Sequence, residues 1–229
     1  MTNDLQRGLR SVGTKSRHHP RWLPCVARRP LLSSPLMKGF PDPESCFAER
    51  LSQAQRGITQ LAQLKSDVIR CAQLVQQTLR DGRSVLTCGN GGSAAEALHF
   101  AEELSGRYRS NRPALAALSL SADPTAITCI ANDFGFDQIF SRQVEAIGRS
   151  GDVLVVLSTS GNSPNILRAL DVGKARGLRT VGLLGSDGGK ASALCDVPLV
   201  VRGVDGAAVQ EVHQMIIHII CETLEPAHP

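Results

Sequence analysis

The sequence predicts an α/β fold in which a doubly wound parallel sheet is flanked by helices, with further helices ahead of it. Two observations support this prediction. From residue 85 onward, short apolar runs alternate with longer stretches of helical periodicity, which is the pattern of a parallel sheet covered on both faces. The chain of 229 residues is also 42% hydrophobic and 20% charged, so it has a globular composition and can bury a large core.

The N-terminal helical region comes first. Between residues 47 and 80, leucine, isoleucine and valine recur at spacings of 3, 4 and 7, which is typical of amphipathic helices. Gly57 predicts a break between two helices in this region. The turn Asp81-Gly82-Arg83 then leads into the first strand.

Strands and helices alternate after this turn. The predicted strands are Val85–Cys88, Ala114–Leu120, Val153–Ser158, Thr180–Leu184 and Val197–Val201. The predicted helices are Ala94–Leu104, Asp137–Ile147, Asn165–Arg176 and Val209–Glu225. Because ligands bind at the carboxyl ends of the strands in open α/β sheets, the loops that follow the strands are the expected ligand sites.

Residues 1–40 differ from the rest of the chain. They contain eight Lys or Arg and a single acid, Asp4, and show no apolar periodicity. We interpret them as a disordered basic tail or a misassigned start, with Met37 as the true first residue, and residues 41–229 as the folded domain. An organelle transit peptide and a basic tail for an acidic partner are the alternatives.

Charge and composition exclude several kinds of partner. Eight of the 25 Lys and Arg but only one of the 21 Asp and Glu lie in the tail, so the folded part is mildly acidic and does not indicate nucleic-acid binding. No run of about 18 apolar residues is present for a transmembrane helix, so we expect no membrane partner. The seven cysteines form no CxxC pair, which is typical of free thiols in a reducing cytoplasm.

The first loop that could bind a ligand is Cys88-Gly89-Asn90-Gly91-Gly92-Ser93, between a predicted strand and a predicted helix. Its glycines allow a tight turn and a close approach of the backbone to a ligand, and the amides at a helix start attract an anion. Ser93 and Glu96 also fit a capping box, so plain helix capping is the alternative.

The second candidate loop is Ser158-Thr159-Ser160-Gly161-Asn162-Ser163, which also follows an apolar strand and precedes a helix. Its hydroxyl groups and its glycine at a helix start suit a phosphate group. An ordinary serine-rich loop is the alternative. Two such loops at one edge of a parallel sheet are stronger evidence for a ligand site than either alone.

A possible metal site follows the first loop. His99 and Glu103 are four residues apart on a predicted helix and therefore share one face. An imidazole and a carboxylate can bind a divalent metal ion, whereas a surface His–Glu pair is the alternative.

The last predicted helix carries two histidines and two glutamines among apolar side chains. Spacing places Gln210 near His213 and Gln214 near His218. A helix that is apolar nearly all round is buried, so these side chains need partners. The spacing does not decide between the two histidines.

Taken together, these motifs resemble the sugar isomerase (SIS) fold and, within it, the phosphoheptose isomerase family. The resemblance extends from about Phe47 to Glu225. Its five blocks are Cys-Gly-Asn-Gly-Gly-Ser at 88–93, His-Phe-Ala-Glu-Glu-Leu-Ser-Gly-Arg-Tyr at 99–108, Ile-Ala-Asn-Asp-Phe-Gly-Phe at 130–136, Ser-Thr-Ser-Gly-Asn-Ser at 158–163 and Gln-Glu-Val-His-Gln-Met-Ile-Ile-His at 210–218.

This resemblance implies a site, residue by residue. The residues implied to bind substrate are Asn90, Gly91, Gly92, Ser93, Glu103, Asn132, Asp133, Ser158, Thr159, Ser160, Ser163 and Gln210. The implied zinc ligands are His99, Glu103, Gln210 and His218, with one Zn²⁺ per subunit. The resemblance therefore selects His218 over His213. Ala208-Val209 stands where family members often have Arg-Ile.

The implied activity is an aldose–ketose isomerisation. It converts sedoheptulose 7-phosphate to D-glycero-D-manno-heptose 7-phosphate through an enediol. The resemblance further implies that this reaction serves the biosynthesis of nucleotide-activated heptose, and that the enzyme is a cytoplasmic homotetramer. Glu103 and His218 are the implied catalytic residues. A non-catalytic SIS protein that binds a sugar phosphate and a replication-initiator-associated SIS protein are the alternatives, and the presence of both Glu103 and His218 favours the enzyme.

Overall fold

The computed structural model describes residues 39–226, and at its centre is a sheet of five parallel strands. The strands are β1 (Val85–Gly89), β2 (Ala117–Ser119), β3 (Val153–Ser158), β4 (Arg179–Gly185) and β5 (Val197–Val201). The helices are α1 (Pro43–Thr59), α2 (Lys65–Arg80), α3 (Gly92–Ser105), α4 (Pro124–Phe134), α5 (Ser141–Ile147), α6 (Pro164–Ala175), α7 (Gly189–Leu194) and α8 (Gly206–Glu222).

The strand order decides where a ligand can enter. Across the sheet the order is β2-β1-β3-β4-β5, and every neighbouring pair is parallel. In β1, Val85 pairs with Ala117 on one side and with Val153 on the other. The order therefore reverses between β1 and β3, and the loops that follow these two strands diverge to leave a crevice. The predicted doubly wound sheet is confirmed.

Helices cover both faces of this sheet. On one face, α2, α3 and α8 contribute fully buried side chains such as Val75, Phe100 and Ile216. On the other face, Phe140 beside α5 and Ile166 of α6 are equally buried. Because both faces are covered, β3 is buried at every position, which explains the uninterrupted apolar sequence of this strand.

Gly57 does not break the N-terminal helical region, so this prediction is wrong. The helix α1 continues through Gly57 to Thr59, and the chain turns at residues 60–64 instead. Gly57 is buried, and a Cβ atom at this position would lie 2.9 Å from Cγ2 of Val212. The glycine therefore allows α1 to pack closely on α8.

Other boundaries also differ from the predictions. The second strand is shorter than Ala114–Leu120, since only Ala117–Ser119 pairs with β1 at this edge of the sheet. The stretch Asp137–Ile147 is a 3-10 turn followed by α5, not one helix. The sequence did not predict α4 because none of its residues is fully buried, and it did not predict α7, which has only six residues.

The interpretation of residues 1–40 falls outside the described residues, apart from Gly39 and Phe40. Within the described part of the chain, no helix combines the length and the apolar character needed to cross a membrane. The six cysteines of this part are free, as predicted. Burial raises the pKa of Cys71 to about 12, so this thiol stays protonated and unreactive.

Candidate active site

The two predicted loops lie side by side at the crevice between β1 and β3. One asparagine from each side joins them: Asn90 Nδ2 donates to Asn165 Oδ1, and Asn165 Nδ2 donates to Asn90 Oδ1, each at 2.9 Å. Asn165 is only 1% exposed, so water does not compete for this pair. The reciprocal bonds fix the first turn of α6 against the loop after β1.

A small cavity of about 70 Å³ lies between the loops. Its lining residues are Asn90, Ser93, Leu157, Ser158, Thr159, Ser160, Ser163 and Gln210. Most of these residues were predicted to bind substrate, and the structure brings them together. Polar neutral groups therefore surround this cavity, at the carboxyl ends of the strands.

The serine loop turns around this cavity. Ser158 Oγ accepts a hydrogen bond from the Gly161 amide at 3.0 Å, and Ser160 Oγ accepts one from the Asn162 amide at 3.2 Å. Ser163 is the N-cap of α6, yet its hydroxyl makes no bond to the helix. This hydroxyl, next to the positive end of the α6 dipole, is therefore free to meet an anion.

Gly91 and Gly92 of the first loop are each required to be glycine for a different structural reason. Gly91 has a φ angle of 56°, a conformation that residues with a side chain rarely adopt. At Gly92, a Cβ atom would lie 2.3 Å from Nε2 of Gln210. The lack of a side chain at Gly92 therefore allows Gln210 to reach the loop from α8.

The alternative capping box does not form. The N-cap of α3 is Gly91, not Ser93, and no side chain caps this helix. Glu96 is 9% exposed, and neither of its carboxylate oxygens has a hydrogen-bond partner among residues 39–226. Burial raises the pKa of Glu96 to about 8, and the nearby Ser93 side chain lowers it only in part. Ser93 lines the cavity and does not cap the helix.

The helices α3 and α8, which contribute Ser93 and Gln210 to this cavity, also bring three potential metal ligands together. His99 Nε2 lies 3.2 Å from Glu103 Oε1 and 3.4 Å from His218 Nε2. One donor atom from each of the three residues lies within 4.8 Å of the other two. The side chain of Glu103 is 13% exposed and that of His99 is 39% exposed, so the group is accessible from one side.

This group of donors fits a zinc ion. Two imidazole nitrogens and a carboxylate oxygen are ligands that Zn²⁺ binds in catalytic sites, with bonds of about 2.0–2.2 Å. Around a tetrahedral ion with such bonds, donor atoms are roughly 3.3 Å apart. The distances from His99 to Glu103 and to His218 are 3.2 and 3.4 Å.

Two residues of this site were not assigned by the sequence. Gln214 Nε2 lies 2.9 Å from His218 Nε2, the contact that the spacing of four on α8 predicted without giving Gln214 a role. The ring of Tyr108 lies 5.8 Å from that of His218, measured between centroids. Gln214 and Tyr108 thus restrict the orientation of the His218 ring.

His213 lies in the core and not with the metal ligands. It is fully buried, and neither ring nitrogen has a partner in hydrogen-bond geometry among the described side chains and backbone. Burial lowers the pKa of His213 to about 4, and the backbone of Leu184 counteracts this only in part. Its ring is therefore neutral at physiological pH.

The structure does not bring Asn132 and Asp133 to the cavity. Both residues are exposed on α4. Asn132 Nδ2 donates to Asp133 Oδ1 at 2.8 Å, and Asp133 also accepts from Cys129. Their side-chain hydrogen bonds thus stay within α4, and their role in substrate binding remains a prediction.

A wider cavity of about 580 Å³ lies at the opposite, amino-terminal edge of the sheet. The only buried charged group in its lining is Asp152, which accepts from the amides of Ser84 and Arg149 at 2.8 Å each. Both carboxylate oxygens of Asp152 thus stabilise turns. The carboxyl edge, with its serine loop and its group of donors, is the better candidate for chemistry.

Comparisons with known proteins agree with this geometry. Residues 50–185 match the SIS domain model. A phosphoheptose isomerase from Fusobacterium nucleatum subsp. nucleatum is 50% identical over 161 residues, which cover 70% of this chain and 82% of that protein. The structure of the phosphoheptose isomerase of Neisseria gonorrhoeae has a TM-score of 0.74 at 40% identity and covers 78% of this chain and 96% of its own.

A second solved structure, a phosphoheptose isomerase from Francisella tularensis, has a TM-score of 0.77 at 32% identity and covers 81% of this chain and 98% of its own. The chain belongs to the phosphoheptose isomerase family. The SIS match ends at residue 185, so it includes both loops as well as His99 and Glu103. This match ends before α8, the helix that carries Gln210 and His218.

Proposed function

We propose that this protein interconverts sedoheptulose 7-phosphate and D-glycero-D-manno-heptose 7-phosphate through an enediol intermediate. One observation carries the proposal: Glu103 and His218 meet, and the two helices that carry them also contribute Ser93 and Gln210 to a serine-lined cavity. An aldose–ketose shift moves a proton between two neighbouring carbons, so it needs a base and an acid at one place. A replication-initiator-associated or purely sugar-binding protein has no need of that pair.

The phosphate group binds at the serine loop. Ser158, Ser160 and Ser163 provide hydroxyl groups around the cavity, and the start of α6 adds the positive end of its dipole. The phosphate does not react, so its binding free energy serves to orient the sugar. Asn90, tied to Asn165, holds the opposite wall of the same cavity.

Glu103 acts as the base that removes the proton from the sugar carbon. Its side chain is largely buried, which limits the water that competes for the carboxylate. His218, which reaches the same three-residue group from α8, supplies or takes up the proton at the sugar oxygen. Gln214 and Tyr108 orient its ring.

We infer that one Zn²⁺ per subunit binds to His99, Glu103 and His218, with Gln210 as the fourth ligand. The distances between the three donors support this inference. Gln210 is included on the family resemblance; it lines the serine-loop cavity, about two helical turns before His218 on α8. When bound, zinc polarises the sugar oxygens and stabilises developing negative charge.

We also infer a cytoplasmic homotetramer that acts in the synthesis of nucleotide-activated heptose. The free cysteines support a reducing compartment. The exposed apolar side chains Phe47, Leu51 and Ile58 of α1 support an interface between subunits.

The proposal is tested by incubating the purified protein with sedoheptulose 7-phosphate and following the formation of the aldose by NMR. Zinc is first removed with a chelator and then added back. We expect turnover that depends on zinc and is lost in Glu103→Gln. A protein that binds the sugar phosphate but forms no aldose with zinc present would be the non-catalytic alternative.

A further inference from the structure

Arg112, in the connection between α3 and β2, binds the end of the helix that carries Glu103. Its Nη2 donates to the carbonyl oxygen of Glu103 at 2.6 Å, and its Nη1 donates to that of Leu104 at 3.0 Å. The last four carbonyls of a helix lack partners within it. The guanidinium group thus stabilises the final turn of α3 at the residue assigned as the base.

The same guanidinium group reaches the segment that follows α8. Arg112 Nε lies 3.4 Å from Glu225 Oε1, and Glu225 Oε2 accepts a hydrogen bond from the Ser110 amide at 2.7 Å. The side chains of Arg112 and Glu225 are 4% and 9% exposed. One buried ion pair therefore connects the backbone of Glu103 to the end of the helix that carries His218.

A second ion pair nearby provides a matched comparison. Arg109 pairs with Glu222, so it also joins the connection after α3 to the end of α8, but these side chains are 61% and 48% exposed. Exposed pairs contribute little to stability. Loss of one partner from a buried pair leaves an uncompensated charge and has a large effect.

We propose that Arg112, together with Glu225, is a positioning residue that holds Glu103 and His218 at the separation that the reaction requires. This inference rests on the proposed function, because it assigns Glu103 and His218 to one site. Catalytic and metal-binding groups must be held to within about 0.5 Å, and partners that orient metal ligands typically change metal affinity or activity 10–100-fold when lost. Arg112 does not line the cavity of the serine loop, so it acts on position and not on phosphate binding.

The main test compares Arg112→Met with Arg109→Met in the full-length protein. Chelator-treated protein is titrated with Zn²⁺ in a calorimeter, and kcat and KM are measured for sedoheptulose 7-phosphate. For Arg112→Met we expect zinc affinity and kcat to fall at least tenfold, with KM changed less than threefold. Arg109 also lies over the ring of Tyr108, 5.0 Å from its centroid, so this variant includes the loss of that contact. For Arg109→Met we expect changes below threefold in all three quantities. Folded Arg112→Met with the zinc affinity and kcat of the wild type would overturn the inference.

Two milder variants keep the test decisive if Arg112→Met does not fold. Arg112→Lys keeps the charge but not the pair of donors, and Glu225→Gln keeps an acceptor for Ser110 but not the charge. Both should lower zinc affinity and kcat while circular dichroism stays that of the wild type. Wild-type values in both folded variants would refute the inference.

Amide hydrogen exchange of the metal-free protein separates this inference from the proposed function. Arg112→Met, or Arg112→Lys in its place, should speed exchange in the last turn of α3 at least tenfold, and Arg109→Met should not. If the wild type neither binds zinc nor forms the aldose, the proposed function fails, while faster exchange would still support positioning by Arg112. If the wild type is active but the Arg112 variant exchanges these amides as slowly as the wild type, this inference is wrong while the proposed function stands.

Discussion

The carboxylate of Glu103 and the ring of His218 reach one site from two different helices. His99, one turn before Glu103, lies 119 positions from His218 in the chain, yet their Nε2 atoms are 3.4 Å apart. The contact between α3 and α8 therefore assembles this group of side chains, since neither helix carries all three donors.

The catalytic assignment predicts the effect of three conservative substitutions. Glu103→Gln and His218→Gln should each lower kcat by roughly 10²–10⁴-fold, the usual contribution of a positioned acid or base. His213→Gln, in the same helix but in the core, should lower kcat far less. The effect on kcat is measured as the steady-state rate at saturating sugar phosphate. Circular dichroism checks that each variant is folded. An essential His213 with a dispensable His218 would invalidate the site.

The buried ring of His213 predicts a pH dependence of stability. In the folded state its pKa is about 4, against an ordinary value of 6.5, so between these values the unfolded chain binds a proton that the folded protein does not. The contribution of His213 to the free energy of unfolding is therefore complete above pH 6.5 and falls as the pH decreases toward 4, by about 3 kcal/mol.

Urea unfolding between pH 4.5 and 7 measures this dependence. His213→Leu removes the titrating group and should flatten the pH dependence relative to the wild type. The other histidines are present in both proteins, so the difference between the two curves isolates His213. Parallel curves would show that His213 does not stay neutral in the core.

At the scale of elements, burial decided what the sequence could predict. The strand β3 is buried throughout, and its apolar run predicted Val153–Ser158 with the observed bounds. The helix α4 has no fully buried residue, so its sequence lacks the contrast that indicates a helix. Gly57 indicated a break because the sequence does not reveal that α1 packs on α8, whose Val212 explains the glycine.

The close packing of α1 on α8 predicts that Gly57→Ala destabilises the protein. An alanine raises helix propensity by about 1 kcal/mol, but its Cβ would meet Val212 Cγ2 at 2.9 Å. Valine is stiff at χ1, and overpacking typically costs about 1–3 kcal/mol. We expect a net loss of about 1 kcal/mol in the free energy of unfolding.

Thermal or urea unfolding of a double-mutant cycle checks this. Val212→Ala should be destabilising in the wild type, because it leaves a cavity, and less so in the Gly57→Ala background, where the new methyl group occupies the space. Additive effects of the two substitutions would mean that the two positions do not pack against each other.

At the scale of the molecule, the sheet edge could be predicted but the grouping of side chains could not. Alternation of strands and helices located both loops at the carboxyl edge, where the structure has them. Spacing on α8 associated Gln214 with His218, and this contact is present at 2.9 Å. Spacing alone could not select His218 over His213, because only the packing of α8 against α3 and the sheet places one ring near His99 and the other in the core.

The exposed face of α1 leads to a prediction about assembly. Phe47, Leu51 and Ile58 share one face of the helix and are 71%, 48% and 43% exposed. Burial of such side chains contributes about 1.5–3 kcal/mol each, so we expect them to pack against a second copy of the chain. If the protein forms the proposed tetramer, Phe47→Glu combined with Leu51→Glu should convert it into smaller species in sedimentation velocity at micromolar concentration. Ser52→Glu, at least about 100° around α1 from all three side chains, adds a charge outside this face and should leave the proposed tetramer intact. A wild-type protein that sediments as a monomer, or a tetramer that tolerates the double substitution, would show that this face is not an interface.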